Sequence, residues 1–199
     1  MIKVHGATQT RTFRTLWMLE ELGLPYEQNP VSSKETRTPE FLKINPNGHV
    51  PVLEDGNLKL VESMAINLYL ASKYDKGLWP KSVEDQARAY QWSFWVMLEV
   101  EAELLTALWN LVLAPEDKRD PDRAAKSQQK LQGPLKVLDD ALAGKSYLAG
   151  NSFTVADLNV AAVLSWTKGA GVDLAAFANL NRWFQDCFGR PARKAASKK

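Results

Sequence analysis

The architecture of this chain can be worked out from one segment, Asn45-Pro46-Asn47-Gly48-His49-Val50-Pro51-Val52-Leu53. Two prolines bracket a glycine turn, and Pro51 opens an apolar run that has the pattern of a strand. A cis Val50–Pro51 bond would turn the backbone groups of Val50 toward an open edge. The segment therefore predicts a sheet edge that could pair with a peptide-like ligand.

The residues around this segment alternate between strand and helix patterns. Short strands are predicted at residues 2–5, 25–31, 50–53 and 58–61, the last two joined by a turn containing Asp55-Gly56. Helices are predicted at residues 13–22, with Gly23 as the stop signal, at 38–42, and from a Ser63 cap to about Lys73. The order β-α-β-α-β-β-α indicates a small α/β unit.

Beyond residue 80 the patterns are helical only. A long helix is predicted at residues 88–113, with Tyr90, Phe94 and Leu98 on one side. A second helix at 121–142 is expected to break or kink at Gly133-Pro134, and further helices start near 153 and 179. We therefore expect an α/β domain at residues 1–77, a linker at 78–85 and an all-helical domain at 86–199.

Composition excludes several classes of site. The chain has 199 residues but one cysteine, Cys187, so a disulfide framework, a cysteine zinc site and a CxxC redox motif are excluded within one chain. With only 2 histidines, no metal site is expected. The net charge of +2 does not favour nucleic-acid binding. The basic residues at the end are expected to form a solvated, frayed terminus: Arg190, Arg193, Lys194, Lys198 and Lys199.

No segment resembles a secretory signal or a membrane span. The start, Met1-Ile2-Lys3-Val4-His5, has no apolar core region. The longest apolar runs, such as residues 94–98, are far short of the roughly 20 residues that a spanning helix needs. We expect a protein of the cytoplasm that does not enter membranes.

Two places are suited to bind an anion. The threonine-rich loop at residues 6–12 lies between a strand and a helix, where the partial positive charge of the helix N-terminus favours a thiolate or another anion. The alternative is simple capping by Thr12. Glu62-Ser63 also follows a strand and precedes a helix, so Ser63 could receive a carboxylate and Glu62 an ammonium group, or the pair could serve only the helix end.

These elements, in this order, resemble the glutathione transferase family over nearly the whole chain. The helical half contributes Tyr147-Leu148-Ala149-Gly150 and Phe153-Thr154-Val155-Ala156-Asp157-Leu158. The α/β half contributes, besides residues 45–53, the stretches Leu16-Trp17-Met18-Leu19-Glu20-Glu21-Leu22-Gly23-Leu24-Pro25-Tyr26 and Glu62-Ser63-Met64-Ala65-Ile66. Each stretch is moderately specific, and together they identify the family.

The resemblance implies a thioredoxin-like first domain, an all-helical second domain and glutathione as co-substrate. Pro51 matches the family's cis-proline, so Val50 would pair with the cysteinyl part of glutathione. Glu62 and Ser63 match the pair that holds the γ-glutamyl end. His49 stands where the family often has Lys or Gln, facing the glycyl carboxylate, and is a fixed charge only below about pH 6.5 if unperturbed. Thr154 and Asp157 match a structural capping box.

The thiol-activating residue implied by the family falls at Thr10. Here threonine replaces the usual serine or cysteine, which keeps a hydroxyl but restricts its rotamer. Thr12 and Thr8 are close enough to substitute, and backbone groups alone, or no activating hydroxyl, remain alternatives.

The resemblance also implies a reaction and an assembly. We expect a detoxifying transferase that joins glutathione to small hydrophobic electrophiles, working as a homodimer. Glutathione-dependent isomerisation, dehalogenation or peroxide reduction is the first alternative, and a glutathione-binding interaction module the second. Candidate walls of the electrophile site are Tyr90, Trp95, Trp109 and Trp166, each of which could instead belong to the core.

Overall fold

The computed structural model describes residues 1–32 and 34–199. Contacts divide the chain into two units: Met1–Trp79 with Gly189–Lys199, and Pro80–Phe188. We call them the α/β unit and the helical unit. The first therefore contains the last eleven residues of the chain, which the sequence analysis placed with the helical domain.

The α/β unit is built on a four-stranded sheet of order β2-β1-β3-β4. Its strands are β1 (Ile2–His5), β2 (Tyr26–Asn29), β3 (Val52–Asp55) and β4 (Leu58–Val61). β1 is parallel to β2 and antiparallel to β3, which in turn is antiparallel to β4. The helices are α1 (Phe13–Leu22), α2 (Pro39–Leu42) and α3 (Ser63–Tyr74). The predicted order β-α-β-α-β-β-α is confirmed.

Local signals in the sequence explain how these elements end. Gly23 adopts φ 58° directly after α1, the left-handed conformation that suits a glycine C-cap. The Thr38 hydroxyl accepts a hydrogen bond from the amide of Phe41, and Pro39 occupies the first position of α2. Both helix boundaries match the prediction.

The β3–β4 turn differs in detail from the predicted Asp-Gly turn. Asp55 pairs with Leu58 as the last strand residue, so the two-residue loop is Gly56-Asn57, with Gly56 at φ 62°. The Asp55 carboxylate binds away from the turn, to groups on α3. It accepts hydrogen bonds from Tyr69 Oη (2.9 Å), Lys73 Nζ (2.7 Å) and Tyr74 Oη (2.8 Å).

The C-terminal residues are packed, and the prediction of a frayed terminus is wrong. They form helix α9 (Pro191–Ala196), in which Ala196 is fully buried. The Arg190 guanidinium holds the Glu21 carboxylate of α1 through Nε–Oε1 (2.6 Å) and Nη2–Oε2 (2.8 Å) contacts. A basic run at a chain end indicates a solvated tail only when it finds no acidic partner, and Glu21 is that partner.

The helical unit begins with a long helical segment. It comprises α4 (Val83–Trp95), a π-helical turn at Val96–Glu101, α5 (Ala102–Leu108) and a second π-helical turn at Trp109–Leu113. It starts earlier than predicted because Ser82 caps it, accepting a hydrogen bond from the amide of Asp85. Phe94 and Leu98, which lie on one side of this segment, are 59% and 78% exposed, respectively.

Three further helices complete this unit: α6 (Pro121–Ala141), α7 (Val155–Leu164) and α8 (Ala178–Phe188). Of the predicted break or kink at Gly133-Pro134, the break does not occur, because α6 continues through Pro134. Leu131, Leu135 and Leu138 are fully buried on one side, so packing on both sides of the proline holds the helix together. Cys187 is buried in α8, as expected.

The predicted capping box at the start of α7 is confirmed. The Thr154 hydroxyl caps the helix, and the Asp157 carboxylate accepts the Thr154 amide at 3.0 Å. Asp157 also accepts Trp183 Nε1 and the Leu148 amide, both at 2.9 Å. Burial raises the pKa of Asp157 and outweighs these hydrogen bonds, which act in the opposite direction.

Candidate functional site

The predicted threonine-rich loop between β1 and α1 forms a compact turn, Thr8–Thr12. Thr10 interrupts it with φ −99° and ψ −171°. Its hydroxyl oxygen lies 2.7 Å from the Ala7 carbonyl oxygen and 2.9 Å from the Thr12 hydroxyl oxygen. The Thr12 amide also donates to it at 3.2 Å. A short internal network therefore sets the position of the Thr10 side chain.

Thr12 does not cap α1. Its own backbone is helical and its side chain makes no capping hydrogen bond, so the simple capping interpretation is wrong. Thr12 is fully buried against Gly6, whose φ is 134°. A Cβ on Gly6 would lie 2.0 Å from the Thr12 hydroxyl oxygen and 2.9 Å from Val50 Cβ. Only glycine leaves room for the three residues to meet here.

The Val50–Pro51 peptide bond is cis. Pro51 is buried and Val50 is half-buried beside Gly6, so the segment at residues 45–53 lies against the threonine turn. Asn45 shapes this segment: its Nδ2 donates to the His49 carbonyl at 2.7 Å, and its Oδ1 accepts the Asn47 amide at 3.1 Å. The cis-proline segment and the threonine turn therefore meet at Gly6, and we call the region formed by Val50, Pro51 and the threonine turn the cis-proline surface.

The His49 side chain is exposed, and a cation lies near it. Arg37 Nη1 donates to the Asn47 carbonyl at 3.3 Å and lies 2.8 Å from the position of a Cβ on Gly48. Sequence reasoning overlooked Arg37. Its signal was weak, because one arginine in a polar stretch has no pattern that distinguishes it from a solvated side chain.

Glu62 and Ser63 stand at the start of α3 in an unusual backbone conformation. Glu62 has φ 72°, a positive value that is uncommon for a residue other than glycine. Such a conformation costs about 1–2 kcal/mol for a residue with a Cβ, and strain of this kind is often kept at binding sites. The prediction that Ser63 caps α3 is wrong: Glu62 holds the capping position, and Ser63 is the first residue of the helix.

Ser63 is tied to α1 by a buried arginine. Arg14 is 1% exposed, and its Nη1 donates to the Ser63 hydroxyl oxygen at 3.3 Å. The Arg14 carbonyl accepts Asn67 Nδ2 of α3 at 3.2 Å. Arg14 is therefore a second functional candidate that sequence reasoning missed. A basic residue among the apolar positions of α1 was the available signal.

The proposed electrophile-site residues all lie in the helical unit. Tyr90 and Trp109 are 44% and 52% exposed. Trp95 packs edge-on against the buried Trp92, with ring centroids 5.0 Å apart, and Trp166 follows α7 and is half-buried. Within the described part of the chain, no group of three or more His, Cys, Asp or Glu side chains could hold a metal ion.

The fold and the cis-proline surface define a thioredoxin-like unit joined to an all-helical unit. A model of the glutathione S-transferase N-terminal domain matches residues 1–72, and a model of the C-terminal domain matches residues 100–191. Glutathione S-transferase GstB of Escherichia coli (strain K12) is 34% identical over 199 residues, covering 96% of this chain and 95% of the relative. Glutathione S-transferase PARB of Nicotiana tabacum is 32% identical, covering 96% and 94%. This chain belongs to the glutathione S-transferase family.

Solved structures agree with this assignment. The theta class glutathione S-transferase of the citrus canker pathogen Xanthomonas axonopodis pv. citri, determined with glutathione bound, superposes with a TM-score of 0.91 at 29% identity, covering 100% of this chain and 97% of the other. A glutathione S-transferase-I bound with lactoylglutathione superposes with a TM-score of 0.89 at 29% identity, covering 99% and 98%. The expected fold class is confirmed. Across residues 1–32 and 34–199, none of the helices has the length and apolar character needed to cross a membrane.

Proposed function

We propose that this protein is a glutathione transferase, with glutathione bound on the cis-proline surface and its thiolate attacking a small hydrophobic electrophile. The observation that carries the proposal is the meeting of Thr12, Gly6 and Val50 beside the cis-proline, with the Thr10 hydroxyl two residues away. Family membership supports it, since relatives across the whole chain are named glutathione S-transferases.

Each part of glutathione has a partner of matching chemistry. The backbone of Val50 pairs with the cysteinyl main chain. Ser63 binds the γ-glutamyl carboxylate, and the exposed Glu62 binds the ammonium group. His49 donates to the glycyl carboxylate, and Arg37, bonded to the carbonyl of Asn47, adds a fixed positive charge to the same segment.

The direction of the Ser63 hydroxyl follows from Arg14. A guanidinium only donates hydrogen bonds, so the Ser63 oxygen accepts from Arg14 and its own proton is left for a carboxylate. The positive charge of Arg14 and the N-terminal end of α3 favour the same anion. This arrangement supports Ser63 as a ligand-binding residue.

Thr10 is the group that we assign to the thiolate. It is half-buried, whereas Thr12 is fully buried, so Thr10 is the more accessible of the two hydroxyls. Its oxygen accepts from the Thr12 amide, which strengthens its own O–H as a donor. To reach sulfur, the Thr10 proton leaves the Ala7 carbonyl, at a cost of about 1 kcal/mol for the exchanged hydrogen bond.

The chemistry follows from thiol acidity. A free thiol titrates near pH 8.5, so little thiolate is present at neutral pH. The O–H···S hydrogen bond and the α1 N-terminus stabilise the anion and lower that value. The thiol proton goes to solvent, the thiolate forms a C–S bond with the electrophilic carbon, and the leaving group departs with the electron pair of the broken bond.

Further predictions from the sequence belong to the same proposal. Tyr90, Trp95, Trp109 and Trp166 are its candidate electrophile contacts. The proposed boundaries are a first domain at residues 1–77, a linker at 78–85 and a helical domain that begins at residue 86, whereas residues 189–199 lie in the α/β unit. A cytoplasmic location, a detoxifying role and the absence of a metal complete it. The location, the domain boundaries and the absence of a metal rest on composition and sequence patterns, and the other predictions rest on the family resemblance.

We also propose that the protein is a homodimer. The exposed Phe94 and Leu98 of the long helical segment form an apolar face that a second copy would cover. Phe94→Asp is expected to yield monomers in sedimentation velocity, whereas Val137→Asp, a matched control at an exposed position of α6, is not. A monomeric wild type contradicts the proposal.

Binding to immobilised glutathione and ultraviolet titration of the bound thiolate test the function. We expect retention on the matrix and a bound thiol that ionises well below pH 8.5. No binding contradicts any glutathione-dependent function. Binding with an unshifted thiol favours the second candidate, a glutathione-binding module without catalysis, for which the Thr10–Ala7 hydrogen bond within the turn is the favouring observation.

A further inference from the structure

Residues 190–199, the C-terminal segment, lie in the α/β unit but take no part in the proposed function. Arg190 fixes its start to α1 through the two hydrogen bonds to Glu21. The Glu21 side chain is 6% exposed and also accepts Trp17 Nε1 at 3.0 Å. A bidentate ion pair at a nearly buried carboxylate is a strong attachment, unlike an exposed surface pair.

The end of the C-terminal segment reaches the threonine turn. The Thr8 hydroxyl donates to the Lys199 carbonyl oxygen at 2.9 Å. Lys199 Nζ lies 3.7 Å from Glu20 Oε1 and 5.6 Å from the centre of the Tyr26 ring. Two contacts of different chemistry thus bring Lys199 to the place where Thr8 begins the turn.

Thr8 is held from its other side by β2. Gln28 Nε2 donates to the Thr8 hydroxyl oxygen at 3.1 Å and to the Gly6 carbonyl at 3.0 Å. Since Gln28 supplies the proton in the first of these bonds, the Thr8 hydroxyl is free to donate its own to Lys199. The start of the turn is therefore clamped between β2 and the C-terminal segment.

We propose that the C-terminal segment positions the Thr8–Thr12 turn. Arg190 is the positioning residue that holds the segment on α1, and Thr8 is the residue of the turn that forms a hydrogen bond with the segment. The proposal rests on the function proposed above. Thr10 follows Thr8 by two residues. If the start of the turn becomes more mobile, the Thr10 hydroxyl therefore adopts a wider range of directions. Hydrogen bonds weaken steeply with misalignment.

Arg190→Ala tests this directly, with Lys194→Ala as the matched control. Lys194 belongs to the same segment and is exposed, and the described residues show no ion pair to it. We expect Arg190→Ala to raise the pKa of the bound thiol by roughly 0.5–1 unit and to lower kcat/KM about three- to tenfold near pH 6.5. The loss should vanish near pH 9, where thiolate is abundant in both proteins. Lys194→Ala should match wild type throughout.

Two further variants separate positioning from folding. Arg190→Lys keeps the charge and one hydrogen bond, so it should recover part of the thiol shift. Thr8→Val removes the receiving hydroxyl without touching α9 and should raise the thiol pKa in the same direction. If Arg190→Ala does not fold, Thr8→Val decides alone. Where the wild type does lower the thiol pKa, a folded variant of either kind with the wild-type thiol pKa and pH profile overturns the proposal.

Amide exchange keeps this test independent of the proposed function. The Thr10 amide donates to the Ala7 carbonyl at 3.1 Å and reports on the order of the turn. Arg190→Ala and Thr8→Val should speed its exchange several-fold relative to Lys194→Ala. If wild type binds glutathione without shifting its thiol, the proposed function fails, and faster exchange at Thr10 still supports the positioning role. Unchanged exchange overturns it.

Discussion

The hydroxyl oxygens of Thr10 and Thr12 lie 2.9 Å apart, and the Thr12 amide donates to the same Thr10 oxygen. Since the Ala7 carbonyl takes the Thr10 proton, the proton between the two hydroxyls comes from Thr12. The two threonines thus have unequal roles. In the proposed function, Thr10 turns its proton from the Ala7 carbonyl to the thiolate, and Thr12 supports it from a fully buried position.

Substitutions at Thr10 and Thr12 should therefore differ in size. Thr10→Val removes the donor to sulfur, a hydrogen bond to a charged group worth about 1.5–3 kcal/mol, so kcat/KM should fall roughly 10- to 150-fold. Thr12→Val removes only the supporting bond and should cost a few-fold. Thr10→Ser keeps the donor and should stay near wild type. The measurement is kcat/KM with a chromogenic electrophile, alongside titration of the bound thiolate.

Other relative losses of kcat/KM in the two variants would change the assignment of the activating group. A larger loss in Thr12→Val than in Thr10→Val would assign the activating hydroxyl to Thr12. Equal, small losses in both would assign thiolate stabilisation to backbone groups. Thermal unfolding of each variant guards against confusing either result with misfolding.

Ser63→Ala should weaken glutathione binding by about tenfold or more, because it removes a donor to a carboxylate at a site 4% exposed. Calorimetry of glutathione binding measures the effect. A glutathione analogue that lacks the γ-glutamyl carboxylate is the matched control, since Ser63→Ala should leave its affinity unchanged. Equal losses for both ligands would show that Ser63 acts on the fold and not on the carboxylate.

Gly6→Ala should destabilise the α/β unit far more than Gly56→Ala. Both glycines have positive φ, 134° and 62°, so both variants carry a conformational cost, about 1–2 kcal/mol for the left-handed Gly56. Only Gly6 adds a clash, with Thr12 and Val50, whereas a Cβ on Gly56 meets nothing within 4 Å. Urea unfolding measures the difference. Similar midpoints for the two variants would contradict the close packing at Gly6.

The features that sequence alone predicts here are local ones. Gly23 ends α1 through its own backbone, and Thr154 with Asp157 caps α7 through side chains three residues apart. Such signals depend on neighbours in sequence, which are visible before any fold is known.

The sequence does not predict contacts between residues that lie far apart along the chain. Arg14 meets Ser63 across 49 residues, and Arg190 meets Glu21 across 169. The residues next to Arg14 and Arg190 in sequence do not indicate an acceptor so far along the chain. The site's backbone scaffold was therefore predictable from motifs, whereas the charges that orient it required the folded chain.

The carboxylate of Asp55 should make the α/β unit sensitive to acid. Burial acts to raise its pKa, but the hydrogen bonds from Lys73, Tyr74 and Tyr69 together hold the pKa below its ordinary value. A lowered pKa contributes stability that is present above the unfolded-state value, near pH 3.9, and is lost as pH falls through the folded-state value. Wild type should lose this contribution below about pH 4.

Asp55→Asn checks that expectation. It should lower the urea midpoint clearly at pH 7, by an amount equivalent to about 1.5–3 kcal/mol, and much less at pH 3, where the wild-type carboxyl is becoming protonated. Asp140→Asn, at an exposed carboxylate paired with Lys136 one helical turn away, should have little effect at either pH. A midpoint difference for Asp55→Asn that does not depend on pH would contradict the role given to its charge.

The packing of residues 190–199 against α1 also sets an order of events during synthesis. The ribosome synthesises the residues of the sheet and α1 first, then Pro80–Phe188, and only then the C-terminal segment with Arg190. Arg190 follows Glu21 by 169 residues, which take roughly 8 to 34 s to synthesise at about 5–20 residues per second. In a nascent chain the contacts of Glu21 with Arg190 and of Thr8 with Lys199 therefore form only after the helical unit has been synthesised.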